Sequence, residues 1–174
     1  MIGYEVLARA ASHFDYQTNT LKLAAHLADM RPPNRGVPFV YDDRQPQVDG
    51  DVDGLRTSIT IDTSSEGTLD FGAPFVIAHD LLRKYPARVA GDSLGGGGGG
   101  ISLFSARAKR VTIGTTSERD VTISLTQTSA GAFADPRFGT NLGEGFLQRS
   151  SLYLDYHQAL VVFGQASDEH RSHR

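Results

Sequence analysis

The stretch from Ile59 to Gly67, reading ITIDTSSEG, holds the residues with the strongest chemical character in the chain. Three β-forming residues lead into Asp62, and Thr63, Ser64 and Ser65 follow it. A carboxylate at the tip of a buried strand is costly unless it is hydrogen-bonded or put to use. An acid among hydroxyl groups suits general acid/base chemistry, because hydrogen bonds to the charged form favour ionisation. The same pattern also suits a plain turn anchor, since Asp and Ser side chains bond nearby backbone N–H groups.

Other groupings carry weaker chemistry. Asp49 to Gly54, DGDVDG, imitates the start of a calcium loop, but the twelfth position is Thr60 where such a loop needs glutamate. A hairpin turn at Asp53-Gly54 is the better expectation. The run Gly95, Gly96, Gly97, Gly98, Gly99 and Gly100 lacks the lysine, the hydroxyl residue and the helix that a phosphate loop requires. It enters the β-type segment ISLF, and fits either a hairpin tip or a flexible linker. The histidines show no metal-ligand spacing, and there is no cysteine for disulfides, thiol catalysis or thiolate metal sites. No metal and no cofactor are expected.

The elements that must position Asp62 emerge from the rest of the chain. With 174 residues, 39% apolar and 21% charged, the sequence suits one ordinary globular domain with additions. A net charge of -3 gives no reason to expect nucleic acid. No apolar run reaches the length of a membrane span. The start, MIGYEVLARA, lacks the basic and apolar regions of a signal peptide, so none is expected here. Location stays open, with periplasm or secretion compatible if the chain is part of a longer protein.

One repeat is present. IGYEVLARAASHFDYQTNTLKL near the start matches LGEGFLQRSSLYLDYHQALVVF near the end without a gap, at a constant offset of 140 residues (Gly3 to Gly143). Leu7 meets Leu147, Arg9 meets Arg149, and Asp15-Tyr16 meets Asp155-Tyr156. Each copy reads as a glycine, a short helix and then β-structure. Asp15 and Asp155 recur just after these helices, which suits a turn role rather than chemistry. Two full copies of the surrounding unit would exceed 174 residues. The economical division is residues 1–24 as the end of a preceding lobe, 25–46 as a linker, 47–165 as a complete lobe and 166–174 as a disordered tail. Within the lobe, Gln47 to Asp62 suggests a hairpin, Pro74 to Lys84 a helix with proline in its first turn, and ISLFSARAKRVTIG and DVTISLTQ two further strands. The class is mainly β with one or two short helices.

IDTSS at Ile61 to Ser65, the six glycines, and NLGEGFLQRSSLYLDY at Asn141 to Tyr156 occur in an order that resembles the retropepsin-like aspartyl proteases. The similarity is to the bacterial type with two pepsin-like lobes per chain, and covers roughly Val48 to Phe163. It implies a closed β-barrel lobe with a flap hairpin, and a peptide or protein substrate. It implies catalysis by two aspartates, one per lobe, that activate a shared water. Asp62 would be one of them. The other would come from a homodimeric partner or an upstream lobe. Thr63 matches a threonine that bonds across to the partner loop, and Ser65 a position that can bond the carboxylate. Ser64 departs from the family glycine, whose lack of a side chain lets two loops approach. Leu142 and Gly143 match a pair that supports the active-site loop, and Gly95 to Gly100 match the flap tip. A non-catalytic protein that binds peptides or partners in the same groove, or a structural dimerisation module, are the alternatives.

Overall fold

The structure, a computed structural model, describes residues 3–96 and 99–164, with the side chains of 92–101 left out of the description. Gly97, Gly98 and the expected tail at 166–174 therefore lie outside the described residues. In chain order the elements are α1 (Tyr4–Leu7), β1 (Ala11–Asp15), β2 (Thr20–Ala24), β3 (Val37–Pro38), β4 (Val40–Asp42), β5 (Gln45–Val52), β6 (Leu55–Ile61) and β7 (Leu69–Phe71). They continue with α2 (Ala73–Ala78), α3 (Leu81–Lys84), β8 (Val89–Gly96), β9 (Gly99–Ile113), β10 (Thr116–Gln127), β11 (Thr140–Leu142), α4 (Glu144–Leu147), β12 (Leu152–Asp155) and β13 (Leu160–Phe163).

Asp53 and Gly54, both at positive φ (52° and 83°), close the β5–β6 hairpin where turn chemistry requires it. The ladder then runs β5-β6-β11-β7-β10-β9, and β9 returns to pair with β5 through Gly50↔Ile113 and Val52↔Val111. The result is a closed six-stranded barrel. Period-two alternation sends Val121, Ile123 and Leu125 of β10 inward, together with Ile59, Ile61, Phe71 and Val111. Burying each such side chain stabilises the fold by about 1.5–3 kcal/mol. Two short strands make the barrel possible. β11 inserts between β6, to which it runs parallel, and β7, to which it runs antiparallel.

A second sheet has the order β2-β1-β12-β13-β3. At its centre the two repeat copies pair antiparallel, with Ser12↔Leu154, His13↔Tyr153 and Phe14↔Leu152. Exchanging each residue for its equivalent in the other copy leaves this register unchanged. The His13–Tyr153 pair thus lies on a local two-fold axis, and the two rings stack at 4.0 Å and 4°. The helices obey the same symmetry. Gly3 precedes α1 at φ -108°, ψ -172°, and Gly143 precedes α4 at φ -109°, ψ -171°.

Two sequence expectations change. Pro74 to Lys84 forms two helices, because Asp80 adopts the left-handed conformation (φ 48°) and interrupts the first. Residues 25–46, expected as a linker, hold β3 and β4, which pair with β13 and β5 respectively. Asn34 fastens this connection by donating to the Phe163 carbonyl (3.1 Å) and accepting from the Gly36 N–H (2.8 Å).

Candidate active site

Asp62 follows the last residue of β6, where the strand turns out of the barrel. Its backbone N–H donates to the Leu142 carbonyl of the parallel neighbour β11 (2.9 Å). Its half-buried side chain is held from both sides. Oδ1 accepts the Ser64 N–H (3.0 Å) and the Ser64 hydroxyl (2.6 Å), and Oδ2 accepts Asn141 Nδ2 (3.4 Å). These donors fix the orientation of the carboxylate. The bond expected from Ser65 is made by Ser64 instead. Ser65 Oγ turns away to accept the Gly67 N–H (3.3 Å). Ser64 is not at positive φ, so its side chain introduces no left-handed strain. The Thr63 hydroxyl makes no hydrogen bond among the described residues.

Leu142 and Gly143 lie against this loop. Leu142 is fully buried. Gly143 N–H donates to the Thr68 carbonyl (3.3 Å), Glu144 N–H to Ser65 (2.7 Å) and Gly145 N–H to Gly67 (3.0 Å). A Cβ on Gly143 would fall 2.4 Å from the Gly67 carbonyl oxygen and 2.6 Å from that of Ser65. Only glycine lets the two backbones approach this closely. Gly3 has the same backbone shape, yet a Cβ there would meet nothing within 4 Å. The first copy presents the same cradle, and no loop among the described residues fills it.

β8 and β9 form an antiparallel hairpin in which Gly95 pairs with Gly100 and Gly96 with Gly99. Gly91 to Gly95, GDSLG, spells Gly-x-Ser-x-Gly, contrary to the expectation that the chain holds no such serine-hydrolase motif. In a serine hydrolase that serine sits on a sharp strand-to-helix turn. Here the segment runs along β8, so the backbone does not form such an elbow. The calcium-like acids are turn anchors. Asp51 accepts the Gly54 N–H (2.8 Å), and Asp53 accepts the N–H groups of Lys109 (3.1 Å) and Arg110 (2.8 Å) and the Tyr85 hydroxyl (3.0 Å). Asp15 and Asp155 each cap a turn in the same manner, by accepting the N–H groups two and three residues on. A cavity of about 750 Å³ bounded by Tyr85, Arg88 and Arg107 does not include Asp62.

Sequence reasoning misses two residues at the site. Asn141 reaches Asp62 from β11, and its place directly before Leu142-Gly143 is the one signal that could have found it. Asp70 in β7 is fully buried although it looks like an ordinary strand interruption in the sequence.

No known family description matches the sequence, and no curated protein matches it. In structure the chain is similar to a retropepsin-like aspartic protease from Rickettsia conorii, with 13% identity and a TM-score of 0.55, over 75% of this chain and 90% of that one. Further similarities are to EIAV protease in complex with the inhibitor HBY-793 (17% identity, TM-score 0.44, 63% of this chain and 91% of that one) and to basic 7S globulin from soybean (12%, 0.45, 94% and 52%). The fold is retropepsin-like.

Proposed function

We propose that the chain is an aspartic-type endopeptidase lobe in which Asp62 activates water against a peptide bond together with a second aspartate. The observation that carries this reading is the Asp62 loop. A carboxylate at the mouth of a retropepsin-like barrel is held by Ser64 and Asn141 and braced by the backbone of residues 142–145. In the proposed reaction, one acid is ionised and takes a proton from the water, while the other is protonated and donates to the developing oxyanion. One carboxylate cannot do both. Thr63, whose hydroxyl is free within the described residues, is suited to bond the opposing loop, and the β8–β9 hairpin to cover an extended peptide.

The local two-fold axis supports a source for the second acid. Applied to the Asp62 loop, it would seat an equivalent loop on Gly3, Tyr4 and Glu5, against the empty cradle. β1 already occupies the edge of β12 at the axis, so a lobe joined before Gly3 suits the arrangement better than a symmetric homodimer through β12. In that arrangement residues 1–24 are the end of the preceding lobe. Ser64 favours a second reading, a groove that binds peptides without cleaving them, since its hydroxyl occupies an oxygen of Asp62. Hydrolysis of an unfolded protein by the full-length polypeptide that contains this chain, wild type against Asp62→Asn, separates the two.

A further inference from the structure

Asp70 sits in the middle of β7, the strand that follows the Asp62 loop. It is 0% exposed, and neither carboxylate oxygen has a well-formed hydrogen bond among the described residues. Its ladder neighbours are Asn141 on β11 and Ser124 on β10, and Asn141 in turn reaches Asp62. A polar row thus crosses the barrel through Thr60, Asn141, Asp70 and Ser124, with an acid inside it. The carboxyl also lies directly under the turn of the Asp62 loop. A Cβ on Gly67 would fall within 3 Å of all three atoms of the Asp70 carboxyl group, and the Gly67 carbonyl holds α4 in place.

An ionised carboxylate in this position would be desolvated and unpaired. Burial, first, and the negative charge of Asp62 push the Asp70 carboxyl above the ordinary aspartate range, while the hydrogen-bonding pull of the Ser124 hydroxyl opposes the shift. No cation among the described residues compensates. Ser124 and Asn141 are the groups facing it from β10 and β11, Gly67 and Thr68 those from the turn. α2 has no titratable side chain, α4 meets the loop through the N–H groups of Glu144 and Gly145 while the Glu144 carboxylate accepts from Gln148, and Glu66 on the loop is exposed.

We propose that Asp70 is a proton-holding positioning residue, neutral beneath the Asp62 loop in acid and loosening that loop when it ionises, so that the site works under acidic conditions. This rests on the peptidase reading for its consequence, but not for its physical test. The folded chain keeps the Asp70 proton to higher pH than the unfolded chain. Stability from this group is complete below about pH 3.8, the ordinary aspartate value, and is lost as pH rises from there to the folded-state value.

Two arms test it, the first in this chain and the second, on cleavage, in the full-length polypeptide that contains it. Thermal unfolding of the wild type, Asp70→Asn and Asp70→Val should be followed between about pH 3.5 and 8, with a carbon-13 NMR titration of the wild-type aspartate carboxyls. The variants should gain on the wild type as pH rises, by a few degrees in Tm, roughly 2–4 °C, and the Asp70 carboxyl should titrate well above its exposed counterparts. Parallel pH dependences with an ordinary Asp70 titration would overturn the proposal, even if one variant fails to fold. In the second arm, the high-pH limb of peptide cleavage should move up by about one unit in Asp70→Asn, with activity in acid retained. An unmoved limb would overturn the switch. Absence of cleavage in every variant, with the stability effect intact, would overturn the peptidase reading and the activity switch while leaving the buried proton.

Discussion

The Ser64 hydroxyl donates to Asp62 Oδ1 at 2.6 Å, on the same oxygen that accepts the Ser64 N–H at 3.0 Å. One residue thus supplies both the backbone donor that any residue could give and a side-chain donor that glycine could not. The hydroxyl competes with water for the carboxylate. Ser64→Gly keeps the N–H, frees the oxygen and removes a Cβ from the loop surface. Turnover of an extended peptide should rise by up to about tenfold, equivalent to about 1.4 kcal/mol. Unchanged turnover would mean that the hydroxyl does not compete with water, and reduced turnover that it supports the reaction.

Gly143 and Gly3 share a backbone conformation but differ in surroundings. Gly143→Ala drives a Cβ into the carbonyls of Gly67 and Ser65 and should destabilise the chain by about 1–3 kcal/mol. Gly3→Ala meets nothing and should cost no more than about 1 kcal/mol, the difference of a helix cap. Urea unfolding of both variants checks this. If a second Asp loop seats on the first copy, Gly3→Ala should become as damaging as Gly143→Ala once that lobe is present. Equal tolerance of Gly3→Ala with and without the lobe would argue against the two-fold arrangement.

His13 lies on the local axis, stacked on Tyr153, with Nε2 buried and without a partner among the described residues. Burial lowers its pKa, and Asp15 only partly opposes this. A depressed histidine binds fewer protons folded than unfolded. Its contribution to stability is present at neutral pH and is lost as pH falls below about 6.5, until the folded ring also protonates. His13→Phe should flatten that part of the stability–pH curve in thermal unfolding. Curves that remain parallel would show that this ring does not set the dependence.

Much of this architecture was legible in the sequence for reasons that are local. Asp53-Gly54 demands a hairpin, and the gapless match of Gly3 with Gly143 announces two equivalent helix–strand units. What stayed hidden depends on distant pairing or on a single rotamer. β11 is three residues long, and nothing in Thr140, Asn141 and Leu142 says that they lie between β6 and β7. Asn141 and Asp70 acquire their roles only through that insertion. Ser64 rather than Ser65 bonds Asp62 because of how the turn rotates its side chains, which residue type does not encode. Asp80 interrupts a helix through its backbone conformation, at a position that propensity tolerates poorly but does not forbid.

Cleavage of an unfolded protein at acidic and neutral pH tests the central claim most directly. The assay should use the natural full-length polypeptide containing this chain, wild type and Asp62→Asn, with and without a transition-state-mimicking aspartic protease inhibitor. The account predicts cleavage that the inhibitor blocks and that falls by at least about a hundredfold in Asp62→Asn. Cleavage that survives Asp62→Asn, cleavage that ignores the inhibitor, or no cleavage by the wild-type polypeptide would contradict it.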